Sequence, residues 1–173
     1  VKGAGWIAWN ARNEMIYSGV YHKWQLLANI GQMGKLFVSD LSGATVVSSL
    51  WLDLNTVFAP GVAGVYAGTD AALDRKNVSY VGFTDIEIAD DNTMLFAYNA
   101  FDRSVYVIPI NLDGSADSAN IKVFLIPEIC AGNHTWGNPL TAAGGLGYYN
   151  GRGYATATCT GPTIADLKGR LFS

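Results

Sequence analysis

Carboxylates crowd one stretch of the chain: Asp85, Glu87, Asp90, Asp91 and Asp102. Side chains alternate faces along a strand, so Asp85 and Glu87 point the same way if this stretch is extended. A divalent cation such as calcium takes several oxygen ligands at once. Paired carboxylates on the inner strand of a β channel supply that chemistry, so Asp85 and Glu87 are the metal candidates. The plainer reading assigns Asp90-Asp91 to a solvated turn and Asp102 to anchoring a loop. Asn111-Leu112-Asp113-Gly114-Ser115-Ala116-Asp117 also alternates oxygen-bearing side chains. It lacks the terminal bidentate glutamate of a calcium loop and reads as a turn.

Other chemistry has less support. Gly3-Ala4-Gly5-Trp6-Ile7-Ala8 fits the spacing G-x-G-x-x-G/A, which binds dinucleotides only between a strand and a helix N-terminus. Here Val1-Lys2 alone precede it and the turn residues Asn10–Asn13 follow. Gly144-Gly145-Leu146-Gly147 has no lysine for a phosphate loop. Both glycine runs read as places where a strand passes close to its neighbours, and no cofactor is expected. The histidines are His22 and His134. Ser18 or Ser79 would complete a triad only combinatorially, because no Gly-x-Ser-x-Gly elbow exposes a nucleophile. No catalytic residue is named. Asn77-Val78-Ser79 and Asn133-His134-Thr135 are glycosylation sequons at Asn77 and Asn133. Trp6, Trp9, Trp24, Trp51 and Trp136 have faces on which a carbohydrate can stack, although aromatics mostly fill β cores.

Composition narrows the function classes. Of 173 residues, 50% are hydrophobic and 14% charged, against roughly 25% charged in an ordinary soluble domain. Disorder is excluded, since it requires low hydrophobicity and high charge. With a net charge of −3 and no Lys/Arg cluster, the chain is not built to neutralise phosphates, so no nucleic acid is expected as a partner. No apolar run approaches the ~20 residues of a membrane helix, and membrane insertion is not expected. Few charges among many Ser, Thr, Asn and Gly residues lean towards an extracellular or assembled protein. The opening Val1-Lys2-Gly3, with no initiator Met, reads as a processed chain or a piece of a longer one.

The elements that must position these residues are strands. Ile86-Glu87-Ile88, Val105–Ile108 and Tyr154–Thr158 alternate with period two and are rich in β-branched and aromatic residues. Turn residues separate the runs, and Asn150-Gly151 is a strong two-residue hairpin signal. Trp24–Ile30 and Asp70–Lys76 have some helical character but read as loops. A larger unit repeats: a strand, a polar turn and a second strand, as in Trp6–Trp9 with Met15–Ser18, Asp85–Ile88 with Met94–Tyr98, and Gly145–Tyr149 with Gly153–Thr156. A third strand follows each pair: Gly34–Ser39, Arg103–Ile108 and Leu167–Phe172. A fourth follows in the first two units, at Thr45–Leu54 and Ile121–Ile126. Four short antiparallel strands per repeat make the blade of a β-propeller. The expected fold is all-β, with about three antiparallel propeller blades at 3–54, 80–127 and 138–173 and an insert at 55–79, the whole of 1–173 forming one domain or fragment. Three blades do not close a ring of the usual 4–8, so copies of the chain or the rest of a longer polypeptide must meet the open ends. An irregular β-sandwich is the competing architecture.

Gly82 to Ile108, with its aspartate-rich strand, Asn92-Thr93-Met94-Leu95-Phe96 and Asp102-Arg103-Ser104-Val105-Tyr106, resembles a blade of the bacterial SdrD B-like or SD-repeat cell-surface proteins. Ile126-Pro127-Glu128-Ile129-Cys130, Gly147–Tyr154 with Cys159, and the closing Asp166-Leu167-Lys168-Gly169-Arg170 are similar to a second stretch of that family. Asn138-Pro139-Leu140 departs from the Arg-Pro-Phe found there. On the residues alone, Cys130 and Cys159 are either buried thiols or a disulfide, and nothing in their spacing suggests zinc. The resemblance implies that they pair. It also implies a secreted, non-enzymatic structural or adhesive surface module. The alternative function is a metal-dependent propeller hydrolase of the lactonase or glycosidase type.

Overall fold

In the computed structural model, residues 4–20, 34–58, 82–100, 102–130, 141–159 and 168–173 are described. The strands run β1 Ala4–Asn10, β2 Met15–Val20, β3 Lys35–Asp40, β4 Val47–Asp53, β5 Phe83–Ile88, β6 Met94–Asn99, β7 Ser104–Pro109, β8 Lys122–Leu125, β9 Thr141–Tyr149, β10 Arg152–Cys159 and β11 Lys168–Phe172. They form three antiparallel sheets, each a meander in chain order: β1-β2-β3-β4, β5-β6-β7-β8 and β9-β10-β11. The strand expectations hold to within a few residues at each end. Two elements were not foreseen, one of them a 3-10 turn at Ser118–Asn120. Leu54–Val57 is a turn of helix (α1), begun where the Asp53 side chain accepts the Asn55 N–H, as capping chemistry favours.

Hairpin chemistry sets the registers. Asn150 (φ 50°) and Gly151 (φ 77°) both occupy the left-handed region between the paired Tyr149 and Arg152, the geometry that two-residue hairpins need. Glu14 and Asn92 take positive φ in the β1–β2 and β5–β6 turns. A register shift between Phe83 and Asp85 lets Phe83 and Ile86 share one face while Asp85 turns to the other.

Strands β5–β7 of the second sheet are buried on both faces, while its edge strand β8 is exposed. Ile86, Leu95, Ala97, Tyr106 and Ile108 pack against Ala8, Tyr17, Leu36, Val38 and Leu52 of the first sheet. On the other side Tyr98, Val105, Phe96 and Val107 meet Ala143, Leu146, Ala155, Ala157 and Phe172 of the third. The opening strands lie side by side, β1 beside β5 and β5 beside β9. The outer two sheets each leave a face bare. On the first sheet Ile7 (67% exposed), Trp9 (47%) and Leu50 (50%) stand out from the face opposite the core. Ile7 pairs with Ser18, Ser18 with Phe37 and Phe37 with Leu50, so these residues form one row across the sheet.

Polar groups fasten the first sheet to the second at one end. Buried Asn10 caps its own turn, its side-chain oxygen accepting the Arg12 and Asn13 N–H groups. Arg12 donates to the Ile110 and Asn111 carbonyls at 3.2 and 3.0 Å. The Gly114 carbonyl accepts from both the Tyr17 hydroxyl (3.2 Å) and the Trp51 indole N–H (2.8 Å). These bonds satisfy groups that would cost free energy if buried alone. Trp51 is thus a core residue, not a free sugar platform.

Candidate functional site

Of the residues singled out for chemistry, Asp85 and the Gly144-Gly145 run meet at the contact between the second and third sheets. Asp85 projects from β5 towards β9. Its carboxylate accepts the Leu146 N–H at 2.6 Å and the N–H of the next residue, Ile86, at 2.9 Å. A Cβ added at Gly145 would sit 3.3 Å from Asp85 Oδ2, and one at Gly144 would lie 2.3 Å from Thr156 Oγ1. At Gly144 β9 passes so close to Thr156 that a side chain would have to displace it, as expected for this run, whereas at Gly145 the Asp85 side chain would need to give way only slightly. Gly147 has open space and does not share that role. Burial pushes the Asp85 carboxyl above its ordinary value, and the two backbone N–H groups pull it back in part.

Glu87 lies two residues on along β5, and its Oε1 accepts the Ile88 N–H at 3.0 Å. Both metal candidates are therefore engaged by backbone donors, Asp85 through both of its oxygens. Among the described residues no three His, Cys, Asp or Glu side chains come together as a metal set. Asp91 closes its turn by accepting the Thr93 N–H and hydroxyl at 3.0 and 2.7 Å. Asp113 does the same for Ser115 at 2.9 and 2.6 Å.

Asp102 anchors a loop, and more firmly than a surface aspartate would. Its Oδ1 accepts the Ser104 N–H at 3.0 Å, and the buried Tyr106 hydroxyl donates to Oδ2. Burial raises the Asp102 carboxyl, while the Tyr106 bond opposes the rise. The Tyr106 hydroxyl is raised further, by burial and by the carboxylate it serves. Tyr98, on the opposite face, is buried and pushed up to about 12 by desolvation. Its hydroxyl has no hydrogen-bond partner among the described residues.

A second cluster surrounds the disulfide. Cys130 and Cys159 are bonded, with Cα atoms 5.4 Å apart. Cys159 ends β10 opposite Thr141 of β9. The Thr141 hydroxyl accepts the Ile129 N–H at 3.0 Å and donates to Glu128. Glu128 in turn accepts the Cys130 N–H at 3.1 Å and pairs with Arg103 at 3.3 Å. The segment between β8 and the disulfide is therefore tied to both sheets.

No protein-family model, curated protein or solved structure matches this chain. The arrangement must be judged on its own chemistry. It contains partly buried carboxylates bound to backbone and tyrosine donors, which position strands.

His22, His134, Asn77, Asn133, Ser79, Trp24 and Trp136 lie outside the described residues. Trp6 and Trp9 are about half exposed on the first sheet. The sequence reading missed Tyr106, Arg103, Glu128 and Thr141 as partners. The Asp102–Tyr106 spacing of four residues carries no strand-period signal, because a turn intervenes.

The raised Asp85 carboxyl fixes the sign of a pH effect. A group whose folded value lies above its unfolded value adds stability at low pH, and that stability is lost as pH rises through the folded value. The contribution of Asp85 to stability is expected to fall as pH rises from about 4, the ordinary aspartate value, through the Asp85 titration. Asp85→Asn keeps an oxygen for Leu146 but cannot ionise, so its deficit against wild type narrows over that window. Urea midpoints across the pH series check this, and a widening deficit would refute it.

Proposed function

We propose that this chain is a non-enzymatic extracellular structural or adhesive module, made of three propeller-like blades that belong to a larger ring or assembly. The observation that carries the reading is the contrast in burial. Strands β5–β7 of the second sheet are covered on both faces, with only its edge strand β8 exposed, whereas the first presents Ile7, Trp9 and Leu50 outwards and the third presents Tyr149 and Leu171. A propeller blade packs against two neighbours, and the second sheet already does so. Exposed apolar patches beyond a few hundred Å² usually mark interfaces, and the low charge provides little repulsion between copies.

The disulfide supports an oxidising compartment, where such bonds persist. Together with the resemblance to SdrD B-like surface proteins, it favours a secreted location. No described helix is long and apolar enough to cross a membrane. Carbohydrate is a partner this reading can accommodate through the exposed Trp6 and Trp9. Sedimentation of the chain, with and without the apolar side chains of the first sheet's bare face, tests the proposal.

A further inference from the structure

We infer that β8, the edge strand of the second sheet, pairs with β8 of a second copy of this chain. The two strands run antiparallel about a two-fold axis at Phe124 and join the two four-stranded sheets into one. The strand lies inside the chain, which runs on from it through Cys130 of the disulfide to β9. The second sheet has its fourth strand, as the first does, and no described strand lies beyond β8. Val123 and Leu125 pair with Tyr106 and Ser104, so they stand on the face towards the first sheet, whose fourth strand β4 is in place. They are nevertheless 42% and 65% exposed.

Hydrogen bonding fixes which backbone groups face outwards. The Ile126 N–H donates to the Arg103 carbonyl. Bonded and non-bonded pairs alternate along antiparallel strands. Phe124 and Lys122 therefore exchange bonds with Val105 and Val107 of β7, and the N–H and C=O groups of Val123 and Leu125 point to the open edge. Such an edge is a template for strand addition, which charge or proline usually blunts. Here Lys122 and Pro127 bound the stretch, and Val123-Phe124-Leu125-Ile126 between them holds neither.

The sequence suits a copy of itself in one register. With Phe124 opposite Phe124, Val123 and Leu125 of each copy exchange backbone bonds with Leu125 and Val123 of the other. The two phenylalanines meet as a non-bonded pair, where side chains come closest. Lys122 lies opposite Ile126, which holds the two lysines about 14 Å apart, beyond the screening length of about 8 Å in physiological salt. Centring the axis on Leu125 instead places Pro127, which has no N–H, at a bonding position. Centring it on Val123 sets each Lys122 against Phe124 and brings the two lysines to about 8 Å. A strand without this self-complementary pattern gains the backbone bonds alone. The contact extends the second sheet in its own plane and does not rest on the bare faces of the first and third. Four residues per strand make a small interface, so dissociation at about 10–100 μM is expected.

The test is made in the Ile7→Ser/Leu50→Ser protein, where association through the first sheet's bare face does not contribute. Added singly, Phe124→Cys should cross-link into a disulfide dimer under mild oxidation about tenfold faster than Val123→Cys. Cα atoms of a non-bonded pair lie about 4.5 Å apart, within disulfide reach, whereas Val123 faces Leu125. Hydrogen exchange at Val123 and Leu125 should slow as concentration rises through the expected range. Val123→Lys/Leu125→Lys changes exposed side chains, so its urea midpoint should match that of the parent. It should abolish the concentration dependence by setting like charges opposite one another, and mixing it with Val123→Glu/Leu125→Glu should restore association. Equal cross-linking at both positions, exchange independent of concentration, or a mixture that stays monomeric would overturn the inference. Each of these outcomes would leave the association of sheet faces in the wild-type chain untouched.

Discussion

Replacing Cys130 and Cys159 by serine should lower stability by about 3–4 kcal/mol, the loop-closure contribution expected for cysteines 29 residues apart. The effect reaches beyond the unfolded chain. Cys159 is buried at the end of β10, so a serine there also buries a hydroxyl. Thr141, paired with Cys159, holds Ile129 and Glu128 through its own hydrogen bonds. Urea unfolding should therefore show a lower midpoint for the double variant. Hydrogen exchange should show early opening of Glu128–Cys130 and the start of β9, with β1–β2 unchanged. Equal midpoints for the bonded and serine proteins would refute this role of the disulfide.

A comparable loss is expected at Tyr106. Tyr106→Ala removes a fully buried ring that packs between the first two sheets, for about 3–5 kcal/mol. Tyr106→Phe keeps the ring but removes the hydroxyl that donates to Asp102 and hydrogen-bonds Asn99, and should cost about 1–3 kcal/mol. The two variants differ in pH dependence. The Tyr106 bond holds down an Asp102 carboxyl that burial already raises. Without it, that carboxyl rises further, and stability is lost as pH climbs through the higher value. The Tyr106→Phe penalty should thus be larger at neutral pH than at pH low enough to protonate the carboxyl in both proteins. A pH-independent penalty would mean that the hydroxyl packs without serving the carboxylate.

Period-two alternation and turn chemistry carried the strands into view, because strands such as β2, β3 and β10 bury alternate residues and several of the turns hold residues at positive φ. Asn150-Gly151 is the clearest case: both residues take positive φ as a two-residue hairpin requires. The close approach at Gly144 and Gly145 was legible for the same local reason. What lay out of reach depends on contacts between sheets. Asp85 and Glu87 were recognised as sharing a face, but the backbone N–H of Leu146, 61 residues away, engages Asp85. No periodicity reports a donor on another sheet. The helical turn at Leu54–Val57 was missed because its signal is a single capping aspartate, and four residues are too few for a helical pattern. Trp51 could stack on a sugar by type alone, and only the Gly114 carbonyl beside it shows that its polar edge is already used.

The central claim is that this chain presents bare sheet faces built to meet further polypeptide. Sedimentation velocity at increasing micromolar concentration tests it most directly. The account predicts association that grows with concentration and weakens in Ile7→Ser/Leu50→Ser, whose substitutions lie on the bare face of the first sheet. A well-folded monomer of 18.5 kDa at every concentration, identical for wild type and variant, would contradict it.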